Sequence, residues 1–173
     1  NETIFTGDMD GNDVWAHVTF DAETCRVSEQ ALADAPIVVG GRLAPPAAYV
    51  GDSDIYCLSK SRTSDNTPAC FEISEKTAAL SLDGVTFAGF VSGGLNGNVI
   101  KCPPGHAAAL ALTNCQFLAN ASSEGSVWTE SATALSLCRT RFAHARAERN
   151  AGVNVKGPAT VVDCAFESIY CHG

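Results

Sequence analysis

The sequence predicts an all-β fold: a right-handed parallel β-helix, or solenoid, with an irregular N-terminal cap. Four observations point there. Four segments share one pattern, an alternating apolar pair, a five-residue step, and then Phe: Leu80-Ser81-Leu82 to Phe87, Leu110-Ala111-Leu112 to Phe117, Leu135-Ser136-Leu137 to Phe142, and Thr160-Val161 to Phe166. The phenylalanines are 30, 25 and 24 residues apart, about one coil of a solenoid. A glycine precedes a further apolar strand in Gly97-Asn98-Val99-Ile100, Gly125-Ser126-Val127-Trp128 and Gly152-Val153-Asn154-Val155. The apolar residues are mostly Ala, Val and Leu, which suit narrow stacked sheets.

The chain of 173 residues reads as one domain. Residues 1–75 form a cap with irregular coils, and residues 76–173 form the regular ones. In the cap, Val14 to Phe20 alternates as a half-buried strand does. Ile37-Val38-Val39 is a short apolar run closed by Gly40-Gly41, and Pro45-Pro46 prevents helix beyond it. Ile55 to Leu58 and Cys70 to Ile73 bracket a polar loop and are expected to pair as neighbours. A solenoid needs such a cap because its open end exposes unpaired backbone groups.

Each regular coil begins with a Leu-x-Leu strand whose period of two directs both apolar residues inward. A corner follows at Gly84, Asn114, Arg139 or Asp163. The next strand carries Val85 and Phe87, Cys115 and Phe117, Thr140 and Phe142, or Cys164 and Phe166 inward. Stacking the coils about 4.8 Å apart makes a column of small residues and a core stack of Phe87, Phe117, Phe142 and Phe166. The glycine-led strand is the third, and turns such as Pro103-Pro104-Gly105 and Gly157-Pro158 return the chain to the next coil.

Two other folds fit less well. A leucine-rich repeat would show Leu-x-x-Leu-x-Leu-x-x-Asn and sustained helical periodicity, and neither appears. An antiparallel sandwich would explain the frequent turns. It would not explain the same residue types at near-constant spacing.

The net charge is −8, which argues against nucleic acid as a partner because phosphate binding needs a concentrated basic face. The basic cluster Arg139, Arg141, Arg146 and Arg149, broken by Glu148, reads as a solvated outer face. Eight cysteines, 25, 57, 70, 102, 115, 138, 164 and 171, occur without a Cys-x-x-Cys pair. That count disfavours a zinc ribbon and favours disulfides in an oxidising compartment. Connectivity is not legible, apart from one plausible bridge. Cys57 and Cys70 flank the polar stretch Lys60 to Pro68, and closing that loop would contribute about 3 kcal/mol. Packing as small hydrophobes is the alternative for the remaining thiols.

Asn1-Glu2-Thr3 and Asn120-Ala121-Ser122 are N-glycosylation sequons, so Asn1 and Asn120 are candidate attachment sites. With the cysteines they point to an extracellular or surface location. The chain opens at Asn1 without an initiator Met, as expected of a processed protein or an excised fragment. No apolar run approaches the roughly 18 residues a membrane span needs.

Phe117-Leu118-Ala119-Asn120, followed by Gly125-Ser126-Val127-Trp128, is similar to the repeats of chlamydial polymorphic membrane proteins. Those are surface-exposed β-helix adhesins, and the resemblance spans roughly residues 76–173. The equivalents of Asn120 are Phe90, Ala145 and Ile169, so the asparagine does not recur. The resemblance implies a β-helix with an adhesive role.

Chemical candidates are sparse. Carbohydrate-active β-helices place carboxylates on an outer face, where two flank a glycosidic bond or hold calcium. Asp83 and Asp163 lie three coils apart and read as turn-capping carboxylates. Asp8-Met9-Asp10-Gly11-Asn12-Asp13 lacks the remainder of a calcium loop, with Thr19 where a Glu should stand. His17, His106, His144 and His172 have no ligand spacing, and no Ser lies in Gly-x-Ser-x-Gly. Cys138 faces outward and is available for a bond to another chain or loop. No catalytic residue, metal site or cofactor is expected.

The pattern stops at Cys171-His172-Gly173, part-way through a coil. An uncapped solenoid edge is adhesive. The expected function is a secreted or surface-displayed structural protein, adhesin-like or filament-forming through end-to-end stacking. Its expected partners are further copies, a longer β-helix continuing from the C-terminal end, or a cell-surface protein or glycan. The alternative is a carbohydrate-active or carbohydrate-binding β-helix, with Trp128 and Tyr170 as exposed-aromatic candidates.

Overall fold

The structure is a computed structural model and describes residues 3–6, 14–21, 23, 26–31, 38–39, 42–43, 55–58, 69–90, 99–122, 124–130, 132–147, 149–150 and 152–171. Ahead of the regular coils come β1 (Thr3–Thr6), β2 (Val14–Asp21), β3 (Arg26–Ala31), β4 (Val38–Val39), β5 (Arg42–Leu43) and β6 (Ile55–Leu58). The stack then runs through β7 (Phe71–Glu72), β8 (Ala79–Asp83) and β9 (Val85–Ala88). The next coil supplies β10 (Ile100–Cys102), β11 (Ala109–Thr113), β12 (Gln116–Leu118) and β13 (Ala121–Ser122). Above it lie β14 (Val127–Thr129), β15 (Ala134–Cys138), β16 (Arg141–Ala143) and β17 (Arg146–Ala147). The last coil supplies β18 (Val153–Val155), β19 (Ala159–Val162), β20 (Ala165–Glu167) and β21 (Tyr170–Cys171).

These strands stack into parallel sheets, making a β-solenoid. The leucine sheet has the order β8-β11-β15-β19, with Leu80, Leu110 and Leu135 in one register column and Leu82, Leu112, Leu137 and Val161 in another. The phenylalanine sheet has the order β1-β9-β12-β16-β20. Its register places Phe5, Phe87, Phe117, Phe142 and Phe166 one above the next. The rings stack with centroids 5.6, 4.9, 4.8 and 5.0 Å apart, and the column is one ring longer than the repeat predicts because Phe5 begins it. Phe87, Phe117 and Phe142 are fully buried, and offset stacking of this kind adds about 0.5–1.5 kcal/mol per pair beyond area burial.

The glycine-led strands form a third sheet, β7-β10-β14-β18. Ile100, Val127 and Val153 share a column, so Gly125 and Gly152 are not in register with one another. Ser126 N–H and Val127 N–H both donate to Gly152 C=O, and Val99 N–H and Ile100 N–H both donate to Ser126 C=O. This repeated doubling of donors on one acceptor absorbs the odd residue, as a bulge does. A short fourth sheet, β13-β17-β21, lies between the phenylalanine strand and the outward loop. Sequence reading counts three strands per coil; the complete coils have four.

The corners explain how the coils close. Gly84, Asn114, Arg139 and Asp163 all have φ between 48° and 68°, as their place in the repeat predicts. Five residues later comes a second left-handed column, Gly89, Ala119, His144 and Ser168. Six of these eight corner N–H groups donate to the coil above: Gly84 to Thr113, Asn114 to Cys138, Arg139 to Val162, Gly89 to Leu118, Ala119 to Ala143 and His144 to Glu167, at 2.9–3.1 Å. A left-handed non-glycine residue costs about 1–2 kcal/mol, and the hydrogen bond made at these corners offsets it.

The N-terminal segment departs from a simple cap of coils. β1 joins the phenylalanine sheet in parallel, while β3-β2-β6 form an antiparallel sheet and β4 pairs antiparallel with β5. β6 and β7 are not neighbours: β6 pairs with β2 and β7 with β10, which corrects the expected pairing across the polar loop. Thr86, Ala88, Leu118 and Ala143 alternate away from the rings yet are buried, so this sheet is covered on both faces.

Gly125 tests the loop geometry. Its φ is 105°, and a Cβ there would stand 2.7 Å from the backbone oxygen of Asn150. Gly105 has φ 84° with open space around it. Urea denaturation should show Gly125→Ala losing about 2–4 kcal/mol and Gly105→Ala only about 1 kcal/mol. Equal losses would mean that backbone strain alone, and not the close approach of the next coil, decides the cost.

Candidate assembly face

The most distinctive surface is the upper face of the last coil. Val161 continues the column of the fully buried Leu137 but is 53% exposed, and Phe166 continues that of Phe142 but is 50% exposed. Val162 beside them is 46% exposed. Val155, Cys164 and Ile169 complete the layer and are half-buried. Among the described residues no coil stands above the corners Asp163 and Ser168 to accept their N–H groups. This face therefore combines apolar side chains with a row of open backbone positions, the two features that hold one coil on another elsewhere in the stack.

The edges of the stack are tied by polar contacts that run from coil to coil. Glu72 lies 3.7 Å from Lys101, Glu75 3.8 Å from His106, Glu124 3.1 Å from Arg149 and Glu130 2.7 Å from Lys156. Arg141 Nε donates to Glu167 at 3.0 Å. At the first corner, Asn114 donates to Asp83 and Arg139 Nε donates to Asn114 Oδ1, both at 2.7 Å. Three members of the basic cluster are thus cross-coil braces: Arg139 on Asn114, Arg141 on Glu167 and Arg149 on Glu124. Exposed pairs of this kind contribute little each, about 0–1 kcal/mol, and chiefly favour correct register.

The cysteines correct the disulfide expectation. Cys70, Cys102, Cys115, Cys138, Cys164 and Cys171 are free thiols. The Cys57–Cys70 bridge is therefore not formed; Cys57 lies in β6 and Cys70 enters β7, which belong to different sheets. Cys25 lies outside the described residues. Cys115 and Cys164 share one inward column, but Thr140 lies between them, so two coil steps of about 4.8 Å exceed the reach of a disulfide, about 7 Å between Cα atoms.

Within that column each side chain bonds the carbonyl two residues back: Cys115 to Thr113, Thr140 to Cys138 and Cys164 to Val162, at 3.2–3.3 Å. Thr140 also donates to Leu112 C=O of the coil below at 3.1 Å. Cys138 is half-buried, with Arg139 Nη1 3.3 Å from its sulfur.

Asn120 takes a structural place. It is 1% exposed, its Nδ2 donates to Phe87 C=O at 3.2 Å, and its Oδ1 accepts from Phe90 N–H at 2.9 Å. A glycan on that nitrogen would require opening the corner of the coil below. Asn1 lies outside the described residues, as do the Asp8–Asp13 turn and His172. Trp128 is 8% exposed, with Lys101 and Lys156 ammoniums 5.8 and 5.9 Å from its ring centroid, so it is not an open stacking platform. The Tyr170, Arg146 and His17 side chains lie outside those described.

Asp83 and Asp163 are separated by three coil steps, about 14 Å at ~4.8 Å each, beyond the roughly 5–9.5 Å of paired glycosidase carboxylates. Among the described residues no three His, Cys, Asp or Glu side chains converge as metal ligands, and no helix is long and apolar enough to cross a membrane. No family model matches the chain, and no curated protein or solved structure shows significant similarity to it.

Burial raises the thiol pKa of Cys70, Cys102 and Cys115 by disfavouring the thiolate. The unfolded thiols ionise first, so this contribution to stability is complete below the ordinary thiol value of about 8.5 and is lost as pH rises through the folded values. Native alkylation with mass-spectrometric mapping should label the exposed Cys171 readily, and Cys102 and Cys115 only after unfolding. Melting temperature should fall as pH rises above about 8.5. Rapid native labelling of Cys115 would contradict the inward column.

Proposed function

We propose that the chain is a structural β-helix that works by stacking end to end, either as a filament-forming component or as an adhesin-like rod. The observation that carries this reading is the exposure of Val161 and Phe166 in columns whose inner members, Leu112 and Leu137 and Phe87, Phe117 and Phe142, are buried. Burying a Val or Phe side chain is worth about 1.5–3 kcal/mol. Adding a coil also satisfies a row of backbone donors and acceptors, so this face favours association through an added coil.

Three further points support it. The ion pairs and corner hydrogen bonds run along the solenoid axis, as they would in a load-bearing rod. Asp83 and Asp163 stand beside or at corners three coil steps apart. The repeats resemble those of chlamydial polymorphic membrane proteins, which are surface adhesins. Secretion or surface display remains part of the proposal on that resemblance, because the six described thiols among those that suggested an oxidising compartment are unpaired.

Sedimentation velocity and negative-stain electron microscopy of the reduced protein across a concentration series test the reading. The expected result is concentration-dependent growth into particles one solenoid wide. Monomers at every concentration would overturn it.

A further inference from the structure

We propose that the antiparallel sheet β3-β2-β6 is a hinged cover on the outer face of the phenylalanine sheet, able to open as a unit while the coils stay folded. The inference concerns the flank of the solenoid and is independent of the end-on assembly above.

The covered face is the first ground. Thr86, Ala88, Leu118 and Ala143 point away from the ring column, yet they are 2%, 4%, 0% and 0% exposed. Ala88, Leu118 and Ala143 form one register column. None of the three belongs to the core packed around the rings. Leu118 is a large apolar side chain buried on the outside of a coil, so another part of the chain lies on it. In the last coil the covering stops, because Glu167 continues the column and is exposed.

Position is the second ground. The buried column stands one residue before the second corner, Gly89, Ala119 and His144. β17 follows that corner in the coil of Ala143, and β6 lies against β17. The antiparallel sheet is therefore on this flank, at the height of the topmost buried member of the column.

Attachment is the third ground. The solenoid strands β7 to β21 are each tied by a backbone ladder to a neighbouring coil, whereas among the described residues β2, β3 and β6 pair only with one another. The cover thus meets the coils by packing on a face in which Leu118 is the one large apolar side chain, and small residues bury little area each. Units held in this way open at a lower free energy than the whole fold. The chain leaves the solenoid at β1 and rejoins it at β7, both at its lower edge, which sets the hinge there. Opening uncovers the strip Ala88, Leu118 and Ala143 and leaves the ring column undisturbed.

Thiol labelling in the full chain tests this. Ala143→Cys reports on the covered face and the native Cys115 on the core, both read by alkylation and peptide mapping in sub-denaturing urea. Hydrogen exchange of the wild type is followed alongside. The expected result is that Ala143→Cys labels at least about tenfold faster than Cys115, with the same opening as the β2 amides. Ala16→Pro then identifies the cover. Ala16 pairs with Ala31 on one side and Tyr56 on the other, and a proline in a central strand breaks its ladder. It should accelerate labelling of Ala143→Cys about tenfold further and leave Cys115 unchanged.

Labelling of Ala143→Cys no faster than that of Cys115 would overturn the proposal, since cover and coils would then open together. Ala16→Pro without effect on Ala143→Cys would overturn it by assigning the cover to another segment. Equal acceleration of Cys115 would do so by making the antiparallel sheet integral to the fold. If Ala143→Cys itself disturbs the face, wild-type exchange decides: a lower opening free energy for β2 than for β11 supports the hinge, and a shared one overturns it.

Discussion

The hydrogen-bond ladder that passes from coil to coil through the corners is the constraint on which the rest of the structure depends. A strand can turn sharply and remain paired only if the corner residue keeps its N–H directed at the next coil. The left-handed conformation at Asn114, Arg139, Ala119 and His144 does that, with each corner N–H donating upward. Two such corners five residues apart fix a short strand between them, whose inward positions carry one small residue and one Phe. Ring stacking, leucine columns and edge ion pairs all follow from coils held in that register.

Chemistry then varies where the ladder permits it. The small inward column accepts Val85, Cys115, Thr140 and Cys164 because each fits beside the corner, and the last three return a side-chain hydrogen bond to a nearby carbonyl. Asn120 occurs once, bracing the corner of the coil below, where Ala145 and Ile169 pack apolar contacts instead. Outside the ladder, ion pairs between adjacent coils discourage slippage. The result is a body with most of its specific polar chemistry directed along its own axis.

Much of this was legible in the sequence because side-chain period and corner spacing are local properties. Leu110-Ala111-Leu112 and Phe117 disclose the sheet, the corner and the register together. The second corner was hidden, since Ala119 and His144 are not residue types that announce a turn; the ladder above them holds them left-handed. Phe5 was hidden by distance, lying far from the repeat it begins. The glycine-led strands misled by one residue because the doubled donors at Ser126 and Gly152 shift the register. The cysteines suggested bridges by number, whereas pairing depends on which coil and which face each occupies. The candidate face was visible only as an interrupted pattern; the exposure of Val161 and Phe166 is a property of the folded stack.

The central claim is the in-register aromatic column, and nuclear Overhauser spectroscopy on phenylalanine-labelled protein tests it most directly. The account predicts ring-to-ring contacts from Phe87 to Phe117 and from Phe117 to Phe142, with none between Phe87 and Phe142. A direct Phe87–Phe142 contact, or no contact between these rings, would contradict the stacked solenoid.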